Sequence, residues 1–174
     1  MRRGCYIGRF QPYHNGHQRV VTAIAEEVDE LVIAIGSADA SHTVDNPFTA
    51  GERIMMITKS LVELDLDLVT YPVPIEDIDR NSVWVSHVES MSPDFDVAFS
   101  NNPLVIQLFE ESAVAVEQFS MFNREELEGT EIREQMIKGN DWQSRVPDPV
   151  IEVIEEIDGL TRIQRVSRSD ANGE

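Results

Sequence analysis

The chain has 174 residues, 32 acidic and 14 basic, with a formal net charge of −18 at pH 7. A surface of this charge repels a phosphate backbone, so nucleic acid is not an expected partner. The longest apolar runs, such as Leu31 to Ile35, are too short to cross a bilayer, so we expect no membrane-spanning segment.

The predicted strands are short apolar runs bounded by turn residues. In chain order they are GCYIGRF, ELVIAIGS, DLVTYPVP, DVAFS and AVAVEQFS. The second run is continuously apolar, which is typical of a strand buried on both faces of a parallel sheet. Five strands are therefore expected.

Segments with helical periodicity alternate with these runs. They are HQRVVTAIAEEVDE, TAGERIMMITKSLVEL, NSVWVSHVESM, PLVIQLFEE, GTEIREQMIKGN and DPVIEVIEEIDG. Alternation of this kind predicts an α/β fold, a Rossmann-like doubly wound parallel sheet with helices on both faces and right-handed crossovers. Ligands of such sheets bind outside the carboxyl ends of the strands.

The domain organisation is expected to be simple. We expect one domain over residues 1–166, followed by a disordered, solvated tail over residues 167–174, with the sequence SRSDANGE. The first ten residues contain no apolar stretch of signal-peptide length, so the expected location is the cytoplasm. The single cysteine, Cys5, lies in an apolar run and is predicted to be a buried structural thiol.

The first strand-to-helix turn contains the stretch GRFQPYHNGH. A helix N-terminus presents free N–H groups that can receive a phosphate. Gly8 and Gly16 allow the backbone to approach a ligand closely, and His14 and His17, three residues apart, can face the same side. Together with Arg9, these residues predict an anion site.

This stretch resembles the Gly-x-Phe-x-Pro-x-His-x-Gly-His signature of the adenylyl- and cytidylyltransferase superfamily. All six signature positions agree, at Gly8, Phe10, Pro12, His14, Gly16 and His17. Neither a P-loop nor a G-x-G-x-x-G motif occurs in the chain, so an NTPase or a dinucleotide-dependent dehydrogenase has no motif support. A second stretch, EGTEIREQM, resembles the second superfamily motif at Thr130 and Arg133.

Between these motifs the resemblance narrows. GSADASH, NPFTAGERIMM, NSVWVSHV, SNNPLV and DWQSRVPDPVIEVIEEI are similar, in order and spacing, to the archaeal type of nicotinamide mononucleotide adenylyltransferase. The resemblance covers Gly4 to Val166, and with the acidic composition it suggests a halophilic archaeal member. It implies the reaction of ATP with nicotinamide mononucleotide to give NAD and pyrophosphate, without a covalent enzyme intermediate.

The resemblance also implies roles for individual residues. His14 and His17 would contact the ATP phosphates, Arg9 would hold the reacting phosphates together, and Arg133 would stabilise the leaving group. The implied ATP-binding set comprises Gly8, Arg9, Phe10, His14, Gly16, His17, Gly129, Thr130 and Arg133. Mg²⁺ is expected to bind mainly through ATP phosphates, with no dedicated protein metal site.

On the mononucleotide side, the resemblance places Ile78 and Asn81 near the carboxamide and Trp84 against the pyridinium ring. An indole face suits a cationic ring. From the residues alone, packing of Trp84 in the core is the alternative. Two positions depart from the family pattern: Asp45 stands where we expect a basic residue, and Glu128 stands where serine is usual.

The sequence is also compatible with other functions. A related enzyme could use flavin mononucleotide or phosphopantetheine as acceptor, and a non-catalytic nucleotide-binding regulator could keep the same fold. The expected small-molecule partners are ATP and nicotinamide mononucleotide. The resemblance further implies a homo-oligomer, with a hexamer as one option.

Among the basic residues, arginine strongly outnumbers lysine. Lys59 and Lys138 are the only lysines against twelve arginines, while acidic residues are spread along the whole chain. This pattern is typical of a salt-adapted surface, and an ordinary acidic cytosolic protein is the alternative. High salt screens repulsion between carboxylates, because the Debye length falls from about 30 Å at 0.01 M to about 3 Å at 1 M.

We therefore expect the melting temperature to rise steadily from dilute buffer to molar KCl, because screening removes repulsion that favours an expanded chain. Melting curves at fixed pH across this range measure the effect. Apparent ATP affinity, recorded in parallel, should weaken with salt. A melting temperature that stays flat or falls would show that the acidic surface is not an adaptation to salt.

Overall fold

The computed structural model describes residues 1–119 and 125–172. Within them, five strands form one parallel sheet in the order β3-β2-β1-β4-β5. The strands are β1 (Arg3–Gly8), β2 (Glu30–Ile35), β3 (Val69–Pro74), β4 (Val97–Phe99) and β5 (Ala115–Glu117). The strand order reverses beside β1, as in a doubly wound fold. The predicted fold class is confirmed, and each predicted strand is present.

Helices connect the strands and continue after them. They are α1 (Asn15–Ile24), α2 (Ala50–Leu64), α3 (Trp84–Met91), α4 (Pro103–Glu110), α5 (Glu125–Lys138), α6 (Asp148–Glu156) and α7 (Gly159–Asn172). Short 3₁₀ turns cover Asn81–Val83 and Gln143–Arg145. Within the described part of the chain, no helix is long and apolar enough to cross a membrane.

The chain forms two compact units. The sheet unit comprises residues 1–9, residues 19–38 and the chain from Leu66 through β5; the helical unit comprises residues 10–18, residues 39–65 and the chain from α5 onward. Compactness alone does not establish independent folding, so the single domain over residues 1–166 stays a prediction.

The core of the sheet unit follows from its apolar strands. Val32 and Ala34 of β2 pack with Cys5 of β1 and with Val88 of α3, and all four are buried. Burial raises the pKa of the Cys5 thiol, because an apolar environment disfavours the thiolate. Cys5 is thus a buried thiol of the core, as the sequence predicts.

Strand β3 lies at one edge of the sheet and, among the strands that the structure describes, pairs with β2 alone. It contains Pro72 and Pro74, and prolines are tolerated in sheets mainly at edges because they lack an N–H donor. The N–H of Ile75, just beyond the strand, donates to the Ile35 carbonyl at 2.8 Å. The prolines therefore fit the position of β3 in the sheet.

In the helical unit, a short segment before α2 is held on several sides. Thr49 caps α2 and forms a capping box with Glu52. The guanidinium of Arg162, on α7, binds the Glu52 carboxylate through two hydrogen bonds of 2.7 and 2.8 Å and also donates to the Pro47 carbonyl at 3.2 Å. A Cβ at Gly159 would lie 2.9 Å from the Phe48 ring, so α7 packs closely there.

Helix α7 differs from the sequence-based expectation. Residues 167–172 are helical, whereas the sequence predicts a disordered tail from residue 167. Gly159 reads as the end of the preceding helix, but Asp158 makes the break with φ of 53°, and Gly159 begins the new helix. Ile163 is fully buried, which anchors α7 in the helical unit.

Replacement of Glu52 by Gln should destabilise the protein at pH 7 by about 1–2 kcal/mol, between the values usual for exposed and buried ion pairs. Burial alone would raise the pKa of Glu52, but hydrogen bonds from Arg162 and Thr49 outweigh it and the pKa is lowered. The pair therefore stabilises the fold above the ordinary pKa of 4.5, and this stabilisation is lost as the pH falls through the lower folded value.

Urea unfolding at pH 7 and pH 4 measures this difference, which should shrink at the lower pH. Lys59→Gln is the matched control, because Lys59 and Glu156 form an exposed pair at 3.8 Å. Equal effects of the two substitutions at pH 7 would contradict the assigned role of Glu52.

Candidate active site

The segment after β1 forms a buried loop. Residues 10–14 are all buried although they have no regular secondary structure. Phe10 is 1 % exposed and has φ of 55°, in a region that a bulky side chain rarely adopts. Strain of this kind costs about 1–3 kcal/mol and clusters at functional sites. The loop is thus held in an unfavourable conformation by its surroundings.

His14 and His17 stack against each other, with ring centroids 3.6 Å apart. Nδ1 of His14 accepts from the Gly16 N–H at 3.1 Å, and Nδ1 of His17 accepts from the His14 N–H at 3.2 Å. A nitrogen that accepts carries no proton, so each neutral ring carries its proton on Nε2. The backbone therefore selects the same tautomer in both rings, with the proton on Nε2.

The environment also fixes the charge of His17. Burial lowers the pKa of His17 well below its ordinary value of 6.5, and the neighbouring His14 lowers it further. His17 is 7 % exposed and packs edge-on against Phe10 at a centroid distance of 4.7 Å. The ring is therefore neutral at physiological pH, and it acts as a hydrogen-bond donor without a full charge.

Arg133 comes from α5 and is 5 % exposed. Its Nη1 donates to the Gln11 carbonyl at 2.8 Å and its Nη2 donates to Thr130 Oγ1 at 3.3 Å. A Cβ at Gly129 would lie 3.4 Å from Nη1 of Arg133 and 3.9 Å from Nε2 of His14. Glycine at this position leaves room beside the two donors, as a ligand site requires.

The structure therefore brings together most of the predicted phosphate-binding residues. Within the helical unit these are Phe10, His14, Gly16, His17, Gly129, Thr130 and Arg133. Their individual roles toward ATP stay predictions. What the geometry provides is a set of neutral and cationic donors with fixed directions, which suits an anion whose charge changes during a reaction.

Both unusual residues lie beside this set. Glu128 Oε2 is 3.8 Å from Nδ1 of His14, and its side chain is 25 % exposed. Asp45 Oδ1 is 3.9 Å from Nη2 of Arg133, and its side chain is 79 % exposed. The two departures thus place carboxylates next to the histidine and the arginine, where they weaken the positive potential that an anion would meet.

The other predicted site residues belong to the sheet unit. Gly8 is the last residue of β1 and its carbonyl accepts from the Gly36 N–H at 2.9 Å, while Arg9 follows it and is partly exposed. Ile78 is half-buried in the segment after β3, and Asn81 is exposed at the start of a 3₁₀ turn. Their roles toward a ligand stay predictions.

Trp84 is the first residue of α3 and is half-buried. Its ring meets the edge of Phe109 at a centroid distance of 6.0 Å, and it packs against core residues of the sheet unit, including Val88. Packing therefore accounts for part of the indole. The remaining exposed surface is what a stacking role would need.

Sequence reasoning missed Gln11. Its side chain is 3 % exposed and makes two hydrogen bonds to the Phe48 backbone, and its carbonyl receives the bond from Arg133. A polar residue inside the signature stretch GRFQP was the available signal. No periodic pattern connects positions that lie 37 residues apart.

Comparison with known proteins identifies the family. Residues 5–135 match the model of the cytidylyltransferase-like family. The chain belongs to this family. The match includes the loop with His14 and His17 and most of α5, with Arg133.

Curated relatives cover nearly the whole chain. A nicotinamide-nucleotide adenylyltransferase of Haloarcula marismortui is 66 % identical, over 97 % of this chain and 89 % of that protein. The protein of the same name from Halorubrum lacusprofundi is 63 % identical, with 98 % and 96 % covered, and that of Methanolobus tindarius is 56 % identical, with 98 % and 97 % covered. The relatives include halophilic archaea, as the acidic composition suggests.

Solved structures confirm the fold. A bifunctional NMN adenylyltransferase/ADP ribose pyrophosphatase from Francisella tularensis, complexed with AMP and a manganese ion, superposes with a TM-score of 0.71 at 19 % identity. The match covers 97 % of this chain and 53 % of that one, so this chain spans about half its length. NadR protein in complex with NAD and AMP-PNP gives a TM-score of 0.56 at 17 % identity, covering 79 % of this chain and 43 % of that one.

Acid should destabilise the protein partly through His17. Because its folded pKa is lowered, the stabilisation from the neutral ring is complete above the ordinary value of 6.5 and is lost as the pH falls below it. The unfolded chain then binds a proton that the folded ring does not, which lowers the stability by roughly 1 kcal/mol for each pH unit below 6.5 while the folded ring stays neutral. His17→Gln should be less stable at pH 7.5 but should lose less stability between pH 7.5 and 5.5.

Urea unfolding across this range measures the two slopes, and His42→Gln, at an exposed histidine, is the matched control. The wild-type and His42→Gln proteins should share the steeper slope. A His17→Gln slope equal to theirs would mean that the folded protein tolerates a charged imidazole at this position.

Proposed function

We propose that this protein transfers the adenylyl group of ATP to nicotinamide mononucleotide, giving NAD and pyrophosphate. The observation that carries the proposal is the buried pair His14 and His17, with both Nε2–H donors fixed by the backbone, in the same unit as Arg133. The names of relatives more than 60 % identical over nearly the full chain support the same reaction.

Catalysis of this transfer needs alignment and charge stabilisation. The phosphate of the mononucleotide attacks the α-phosphorus of ATP, the bond to the β-phosphate oxygen breaks, and negative charge develops on pyrophosphate. Arg133 and the Nε2–H groups of His14 and His17 donate to these phosphates from positions fixed before the substrate arrives. Donors that need no reorganisation stabilise such charge most effectively.

The remaining residues align the two substrates. Arg9, directly after β1, holds the reacting phosphates together, and Gly129 leaves room for a phosphate beside Arg133. On the acceptor side, the exposed surface of Trp84 stacks on the pyridinium ring, while Ile78 and Asn81 meet the carboxamide. Correct alignment of two reactants is worth several kcal/mol of the barrier.

Nucleotidyltransferases of this kind generally use a divalent metal ion, and we propose Mg²⁺. Among the residues that the structure describes, no three His, Cys, Asp or Glu side chains gather into a metal cage. Mg²⁺ prefers oxygen ligands and usually combines one or two carboxylates with substrate phosphates. Glu128 and Asp45, which lie beside the phosphate-binding donors, would supply these carboxylates. The ion would neutralise phosphate charge.

The cellular setting of the enzyme stays a proposal as well. We expect a cytoplasmic enzyme of NAD synthesis that assembles from several copies of itself, with a hexamer as one option. Gel filtration with light scattering, at the salt concentration of the activity assay, measures the number of subunits.

The proposed activity is tested by incubating the protein with ATP, Mg²⁺ and nicotinamide mononucleotide across a range of KCl concentrations and following NAD with a dehydrogenase-coupled assay. NAD should form, and pyrophosphate should form with it in equal amount. Flavin mononucleotide and phosphopantetheine in place of the mononucleotide should give no product. Absence of NAD at every salt concentration would reject the proposal.

Replacement of Trp84 by Ala should raise the KM for nicotinamide mononucleotide by about fivefold or more and leave the KM for ATP nearly unchanged, because a cation–π contact acts on one substrate only. Steady-state kinetics with each substrate varied in turn gives both values. Phe109→Leu is the control, since it disturbs the packing next to Trp84 without removing the indole. An equal rise in both KM values would make Trp84 a packing residue.

A further inference from the structure

Gln11 is joined to a distant segment by a double hydrogen bond. Its Nε2 donates to the Phe48 carbonyl at 2.9 Å, and its Oε1 accepts from the Phe48 N–H at 3.0 Å. Both residues are buried, with Gln11 3 % and Phe48 0 % exposed. The side-chain amide therefore pairs with the Phe48 backbone as a neighbouring strand would, and it satisfies both polar groups away from water.

The segment around Phe48, to which Gln11 binds, is itself held by further hydrogen bonds. Pro47, on one side of Phe48, accepts a hydrogen bond from Arg162, and Thr49, on the other side, donates to Glu52 at 2.8 Å. Arg162 and Glu52 also bind each other through two short hydrogen bonds. Phe48 is thus a rigid anchor supported by α2 and α7.

The main chain of Gln11 faces the candidate active site. Its carbonyl accepts the 2.8 Å hydrogen bond from Nη1 of Arg133. One residue therefore has its side chain on the anchor and its carbonyl on the arginine. Because the amide fixes where the carbonyl lies, it also fixes where the guanidinium lies.

We propose that Gln11 is a positioning residue for adenylyl transfer. It acts through Arg133 and makes no contact with the substrate itself. The inference rests on the proposed function, since it assigns Arg133 to the leaving pyrophosphate. A misplacement of about 1 Å in a positioning interaction can lower the rate by about a hundredfold. The two hydrogen bonds between Gln11 and Phe48 therefore matter for catalysis.

The central test is a double-mutant cycle of Gln11→Leu and Arg133→Ala. Leucine keeps the approximate size of the side chain but makes neither bond to Phe48. Gln11→Leu alone should lower kcat between about tenfold and a hundredfold, while the KM for nicotinamide mononucleotide stays within about twofold. In the Arg133→Ala background, the same substitution should change kcat by less than about twofold, because the residue it positions is gone.

The proposal is overturned if the effects of Gln11→Leu and Arg133→Ala on kcat are independent of each other. If Gln11→Leu lowers kcat by the same factor with and without Arg133, Gln11 does not act through the arginine. Gln164→Leu is the matched control, because Gln164 is a partly buried amide that donates to the Met136 carbonyl at 3.0 Å in the same unit. This control should lower the melting temperature but leave kcat within about twofold.

Gln11→Glu supplies a second variant that keeps the shape of the side chain. A protonated carboxyl group can donate to the Phe48 carbonyl and accept from its N–H, as the amide does, whereas the carboxylate cannot donate. Burial raises the pKa of such a group, so protonation occurs in an accessible pH range. The ratio of variant to wild-type kcat should therefore rise as the pH is lowered, and a flat ratio contradicts the positioning role.

The cycle is also measured through ATP binding by calorimetry, without an acceptor and without turnover. Gln11→Leu should weaken ATP binding in the wild-type background and leave it unchanged in the Arg133→Ala background. A wild-type protein that binds ATP but makes no NAD would reject the proposed function and still allow this test. Additive effects on ATP binding would reject the role of Gln11 alone.

Discussion

The site depends on satisfying the hydrogen bonds of a buried irregular loop. Residues 10–14 are buried without the regular ladders that would pair their backbone groups, and an unpaired buried polar group costs about 1–3 kcal/mol. The partners come from the site itself. His17 accepts the His14 N–H, His14 accepts the Gly16 N–H, and Arg133 donates to the Gln11 carbonyl.

This arrangement joins stability to chemistry. The bonds that stabilise the loop also select the tautomer of each imidazole and the direction of the guanidinium. A substitution at one of these positions therefore changes the fold and the chemistry together, and only measurements that separate them are informative. Because the tertiary support comes from Phe48 and its neighbours, the geometry of the site is set by helices that carry none of its donors.

The sequence predicts the framework of this protein well. The strands are found because buried parallel strands are continuous apolar runs, and β2, with five buried residues in succession, is the clearest case. His14 and His17 are found because their spacing and the flanking glycines match a known signature. These patterns involve residues that are close together in the sequence, so they can be recognised without the structure.

What the sequence did not predict depends on tertiary contacts. Helix α7 was missed because Gly159 normally signals a helix end, whereas here its close approach to the Phe48 ring accounts for glycine at a helix start. Gln11 was missed because its side chain bonds to the backbone of Phe48, 37 residues away, and a backbone partner leaves no mark in the sequence. The neutral state of His17 likewise follows from burial, which composition does not reveal.

The two prolines of β3 limit how this sheet can be extended. The Ile75 N–H points toward β2, and backbone N–H groups alternate in direction along a strand, so positions 72 and 74 face away from the sheet. Pro72 and Pro74 have no hydrogen to offer there. A strand from another chain would meet carbonyls without matching donors along this edge, so growth of the sheet into fibres or shared sheets is disfavoured. Association of copies through this edge of the sheet is therefore disfavoured.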